Sequence, residues 1–176
     1  FSLIDAALAK MLEEWKELED RYYDPGRKVV ALGSDHRGYQ VKKWLIEFVK
    51  SAGYKVIDCG TDSEESCDHP VYALRVAELV SQGEADRGIL VCSSGHGMIL
   101  TANKVPRVRA VLPLDERHAR LSRSHNNANV LAFGAGFHKH EAIEAITLEW
   151  LRTVFLGGKY QRRVALISQY ENSLRC

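Results

Sequence analysis

The sequence contains no apolar run of about 18 residues, so no membrane-spanning helix is expected. No secretory signal pattern opens it. Neither sign of charge dominates: 24 Lys and Arg face 23 Asp and Glu, a net charge of +1. That balance argues against a broad nucleic-acid or membrane surface. Of the four cysteines, Cys59, Cys67, Cys92 and Cys176, no two have C-x-x-C spacing, which counts against a zinc cluster or a dithiol redox centre. A chain of 176 residues buries enough core to need no disulfide staples, so reduced thiols and a cytoplasmic setting are expected. There is no repeat of fixed period and no low-complexity segment. A G-x-G-x-x-G fingerprint and a P-loop lysine are also missing. What remains, 45% hydrophobic and 27% charged residues, is the balance of one globular domain with room for a small appendage.

That appendage is the first segment. Leu3, Ile4, Ala7, Leu8, Met11, Leu12 and Trp15 recur at helical spacing over Phe1 to Tyr23, predicting an amphipathic helix. Asp24-Pro25-Gly26 breaks it. Residues 1–26 are therefore read as a helical extension, packing on the body or on a partner, and 27–176 as the main domain. In the main domain short apolar runs alternate with helical stretches. Val29 to Leu32, Val56-Ile57, Gly88 to Val91, Val108 to Val111 and Val130 to Gly134 read as strands. Tyr39 to Ser51, Tyr72 to Val80, a turn-opened helix near Met98, Asp115 to Arg123, Glu141 to Phe155 and Tyr160 to Tyr170 read as helices. Continuous apolar strands between helices mean parallel βαβ units. The predicted fold is a three-layer α/β/α sandwich around a mostly parallel five-stranded sheet, Rossmann-like in arrangement. The acidic stretch Asp62 to Asp68 is read as a solvated loop.

Ligands of such sheets bind beyond the carboxyl ends of the strands. That rule selects Ser34 to Gly38, Cys92 to Gly97 and the turn after Gly134. In Cys92-Ser93-Ser94-Gly95-His96-Gly97 the glycines allow close backbone approach. Successive N–H groups in such a turn form an anion nest, and there Cys92 is expected to favour its thiolate. A thiol beside an anion nest suits proton abstraction next to a carbonyl, the nest holding the enediolate that results. Against this stands the inert buried cysteine after a common glycine turn. Asp35-His36 offers a carboxylate and an imidazole for hydroxyls and protons, or else Ser34 or Asp35 caps a helix. His125-Asn126-Asn127-Ala128-Asn129 by itself is a polar turn before a strand. Lys159, Arg162 and Arg163 near a helix start oppose the dipole preference, which points to an anion such as phosphate or to a solvated basic patch.

Together these segments resemble the ribose-5-phosphate isomerase B family, which includes galactose-6-phosphate isomerase subunits. The likeness runs from about Lys28 to Tyr170. It is carried by Gly33 to Gly38, Val56 to Thr61, Cys92 to Gly97 with Ala102-Asn103-Lys104, and Leu121 to Asn126 through Asn129 to Gly134. The resemblance implies aldose–ketose isomerisation of a sugar phosphate, most naturally ribose 5-phosphate to ribulose 5-phosphate, without metal or organic cofactor. It implies that Cys92 moves the proton, His125 opens the sugar ring, Asp35 and Asn126 hold hydroxyls and Ser94 shifts protons between oxygens. Ser93, Gly95, His96 and Gly97 would cradle the enediolate, with His69 at the rim. His36, Lys159 and Arg163 would face the phosphate. It also implies a site shared between subunits of a homodimer or homotetramer. The departures are Gly136 where relatives often carry arginine, Lys159 in place of another arginine, His69 for tyrosine, Ser93-Ser94 for Gly-Thr, and His96 within the nest. They leave open a different sugar substrate. Two further possibilities are a non-catalytic sugar-phosphate sensor on the same fold and a nucleotide-binding α/β module.

Overall fold

Alternate residues of the central strands are buried on opposite faces of one sheet. The computed structural model describes residues 29–174; the amphipathic segment Phe1 to Tyr23, and Cys176, lie outside them. The described strands are β1 (Val29–Ser34), β2 (Lys55–Asp58), β3 (Arg87–Cys92), β4 (Ala110–Val111) and β5 (Val130–Gly134). They pair in the order β2-β1-β3-β5-β4 with every pair parallel. Six described helices join them: α1 (Tyr39–Ser51), α2 (His69–Gln82), α3 (His96–Ala102), α4 (Glu116–Asn126), α5 (His140–Arg152) and α6 (Lys159–Ser173). None is long and apolar enough to cross a membrane.

The period of two along each strand builds two cores. Val30, Leu32, Ile89, Val91, Leu131 and Phe133 pack with α1 and α5 through Leu45, Val49, Ile146 and Trp150. Their sequence neighbours Ala31, Leu90, Cys92, Val130 and Ala132 pack with α2 and α3 through Val76, Ala77, Met98 and Ala102. Both faces are dry because helices cover both, as the uninterrupted apolar strands require. The three-layer sandwich expected from the alternation of runs is the observed fold.

Boundaries differ where turn chemistry outweighs periodicity. β4 is only two residues long, since Arg107 turns at φ 65 and Asn129 Oδ1 takes the Arg109 N–H at 2.7 Å. α2 starts at His69 rather than Tyr72, because Pro70 tolerates the first helical turn. α3 starts at His96. α4 runs to Asn126, with Asn127 supplying a left-handed cap at φ 51, so His125 sits in the last helical turn and not in a loop. The N-cap of α1 is Gly38, not Ser34 or Asp35. A Cβ at Gly38 would stand 2.4 Å from the Val91 carbonyl oxygen, so only glycine lets α1 start this close to β3.

Candidate active site

The strand order reverses at β1: β2 lies on one side and β3 on the other. Such a reversal opens a crevice at the carboxyl ends of the two central strands. Asp35 follows β1 and Cys92 ends β3. The two ends are tied by the Asp35 N–H donating to the Val91 carbonyl at 3.2 Å. Asp35 is buried, and its Oδ1 accepts the Arg37 and Gly38 N–H groups at 2.9 and 3.0 Å. It closes the β1–α1 turn in this way.

The Cys92 side chain is buried, and its Sγ accepts the Gly95 N–H at 3.1 Å. Gly95 reaches that position at φ 82, where an added Cβ would run into Leu112 and the Phe133 backbone. The N–H contact fixes the direction in which the sulfur points. Cys59 is the contrast. Its Sγ donates to the Ile57 carbonyl at 3.8 Å, and burial, with Asp58 adding to it, raises its pKa from 9.0 to about 11. The loop that carries Cys92 is fixed from behind by β5. Ala135 and Gly136 N–H groups donate to the Cys92 and Ser93 carbonyls at 2.8 and 3.1 Å, and a Cβ at Gly134 would stand 2.8 Å from the Ser94 backbone. Ser93 and His96 are exposed, with Ser94 and Gly97 half-buried.

Two imidazoles line the same crevice. The His69 ring lies over Gly97, where a Cβ would meet Nε2 at 2.5 Å. His36 Nδ1 lies 3.2 Å from the Cys67 nitrogen and 3.3 Å from its carbonyl oxygen, so the Cys67 backbone fixes the ring. The Cys67 thiol is 3.9 Å from the same nitrogen. The acidic loop Asp62 to Asp68 brings Cys67 to this contact.

The remaining predicted residues form a second group. His125 stacks on Tyr160, ring centroids 4.0 Å apart and planes 11° apart. Lys159 Nζ and Arg163 Cζ lie 5.2 and 5.9 Å from the Tyr160 ring centre. Cation–π contact thus accounts for part of the charge cluster within the chain. Asn126 is exposed at the end of α4. This group sits at the opposite edge of the sheet. The Asn129 carbonyl accepts the Gly88 N–H at 2.9 Å, and Gly88 and Cys92 pair with Val130 and Gly134. Four strand residues separate the two levels, about 13 Å at 3.3 Å per residue. Within one chain the two groups do not meet.

Sequence reasoning missed His138 and the buried Lys42, which is ion-paired with Asp58. No motif marks either. Among the described residues no three of His, Cys, Asp and Glu converge as a metal-ligand set.

The class of protein comes from comparison with known proteins, since a parallel sheet of this order serves many functions. The family model for ribose/galactose isomerases matches residues 30–167. The chain belongs to that family and is an aldose–ketose isomerase of the sugar-phosphate class. It is 42% identical over 144 residues to ribose-5-phosphate isomerase B of Escherichia coli, covering 82% of this chain and 97% of that one. Among solved structures, ribose-5-phosphate isomerase B of Clostridium thermocellum superposes with a TM-score of 0.81 at 42% identity, over 83% of this chain and 99% of that one. The Mycoplasma genitalium enzyme, solved with bound ribulose 5-phosphate, gives 0.79 at 36% identity, over 82% and 96%.

Proposed function

We propose that this chain interconverts ribose 5-phosphate and ribulose 5-phosphate with Cys92 as the base. The observation that carries the proposal is the Gly95 N–H on Cys92 Sγ at 3.1 Å, in the crevice between β1 and β3. In the open-chain aldose, the Cys92 thiolate takes the proton from C2. The electron pair forms the C1–C2 double bond and O1 becomes the oxyanion. Backbone N–H groups of His96 and Gly97 stabilise that charge, while Gly95 holds the sulfur and Ser93 stands at the edge of the turn. Ser94 passes the O2 proton to O1. The thiol then returns its proton to C1 and the ketone forms at C2. Atoms and electrons balance without a resident metal or organic cofactor. Asp35 and Asn126 hold hydroxyls, His125 opens the furanose ring, and His36, Lys159 and Arg163 face the phosphate, with His69 closing the rim. We place this machinery in a domain of residues 27–176 in a cytoplasmic setting, with 1–26 as an extension.

The separation of the two groups requires a second copy, whose His125, Asn126, Lys159 and Arg163 complete the site around the first copy's Cys92. The homodimer or homotetramer follows from that need. Two experiments test the proposal. Cys92→Ala abolishes turnover of ribose 5-phosphate while leaving the circular-dichroism melt intact; a variant that keeps most of the turnover refutes Cys92 as the base. Mixing Cys92→Ala with His125→Ala subunits, unfolded and refolded together, rebuilds one good site in each mixed dimer. The mixture then recovers about a quarter of parent activity for random pairing in a two-fold assembly. No recovery above the two separate variants means that the site is not shared.

A further inference from the structure

We infer that His138 is a positioning residue that holds the back wall of the Cys92 loop, a role that rests on the reading of Cys92 as the base. The argument starts with the shortness of β4. Val130 N–H donates towards β4, to the Arg109 carbonyl at 3.4 Å, and the period of two along a strand points the Gly134 N–H the same way. β4 ends at Val111, opposite Leu131, so no ladder partner reaches Gly134. His138 fills that place. Its Nδ1 accepts the Gly134 N–H at 3.2 Å, which puts the proton of the neutral ring on Nε2, 3.4 Å from the Pro113 carbonyl. Gly134 O also lies 3.2 Å from Nδ1. It already accepts the Phe137 and His138 N–H groups at 3.0 Å, so the N–H is the partner that needs the ring. The ring stands edge-on to buried Phe133, centroids 5.5 Å apart.

Both segments that His138 bridges touch the cysteine loop. On one side, Ala135 and Gly136 donate to the Cys92 and Ser93 carbonyls. On the other, the Leu112 side chain packs on Gly95, where a Cβ would meet its Cδ1 at 2.3 Å. Gly95 supplies the N–H to Cys92 Sγ. One imidazole thus fixes two walls of the turn that presents the sulfur, without touching the substrate itself.

The test compares His138→Leu, which keeps bulk and loses both bonds, with His138→Asn, which keeps an acceptor near the Nδ1 position. In His138→Leu kcat falls about 10- to 100-fold, the scale of an ångström-level misplacement of a reacting group, while KM changes little. His138→Asn recovers part of that loss. The rate of Cys92 alkylation by iodoacetamide, followed by peptide mass spectrometry, shifts in His138→Leu in step with kcat. Unchanged kcat and an unchanged Cys92 alkylation rate overturn the role, as does a fall in melting temperature alone. The alkylation rate needs no turnover. A parent inactive on every sugar phosphate sinks the isomerase reading, and a Cys92 rate altered by His138→Leu still upholds the positioning role.

Discussion

Replacing Gly95 by alanine strikes the turn where its geometry is tightest. Gly95 has φ 82, and an added Cβ would stand 2.3 Å from Leu112 Cδ1 and 3.1 Å from the Phe133 carbonyl carbon. The left-handed conformation costs a non-glycine residue about 1–2 kcal/mol. Overpacking a filled site adds about 1–3 kcal/mol. The two together, roughly 2–5 kcal/mol, lower Tm by something on the order of 5–15 °C in a domain of this size. The same displacement draws the Gly95 N–H away from Cys92 Sγ. A hydrogen bond to a charged group is worth about 1.5–3 kcal/mol, or roughly 10- to 100-fold in kcat. Differential scanning calorimetry and initial-rate kinetics on ribose 5-phosphate read the two effects separately. Gly97→Ala is the comparison. The atoms nearest to its Cβ belong to the His69 ring, which can rotate aside, so its signature is a raised KM with most of kcat retained. A Gly95→Ala protein with the melting temperature and kcat of the parent refutes the argument that this N–H holds the sulfur.

Three further outcomes follow from other parts of the molecule. Arg163→Ala raises KM for a phosphorylated sugar more than it lowers kcat, whereas an unchanged KM removes Arg163 from the phosphate site. Lys42 is 1% exposed beside an Asp58 that is 45% exposed; Asp58→Ala strands a buried cation and costs about 3–5 kcal/mol in urea unfolding, clearly more than Lys42→Met, which leaves a carboxylate that water can reach, and equal costs would contradict this. The Cys59 thiol, raised from 9.0 to about 11, contributes stability that is fully present below pH 9 and is lost as pH rises through 11, because above pH 9 the unfolded chain has already released this proton. The urea midpoint of Cys59→Ala therefore falls less between pH 8 and pH 11 than that of the parent, and parallel declines would contradict the assignment.

The sheet was legible because the strands that matter are apolar on both faces. Val29 to Leu32, Gly88 to Val91 and Val130 to Gly134 leave no polar face, and only helices on both sides can cover them. Their carboxyl ends were legible for the same reason, since a parallel sheet gathers them on one edge. What could not be read was local chemistry that acts against the period. Arg123 is 1% exposed and reaches the Asn127 side chain and the Thr153 carbonyl, a burial that no motif announces for a charged residue. Lys42 likewise occupies a core position of α1 because Asp58, from the next strand, compensates it.

Sequence order was also misleading about which site residues lie together. Cys92 and His125 belong to one resemblance, but the connection between them crosses the sheet. Cys92 ends a strand, whereas His125 ends a helix that runs back to where β5 begins. Antiparallel passage of a helix over its parallel strands puts those two kinds of ending on opposite edges, whatever the residues are. The proposed sharing of the site between two copies rests on that separation. His138 lies in neither half. It follows β5 by four residues and owes its place to a strand, β4, that stops too soon to pair with Gly134.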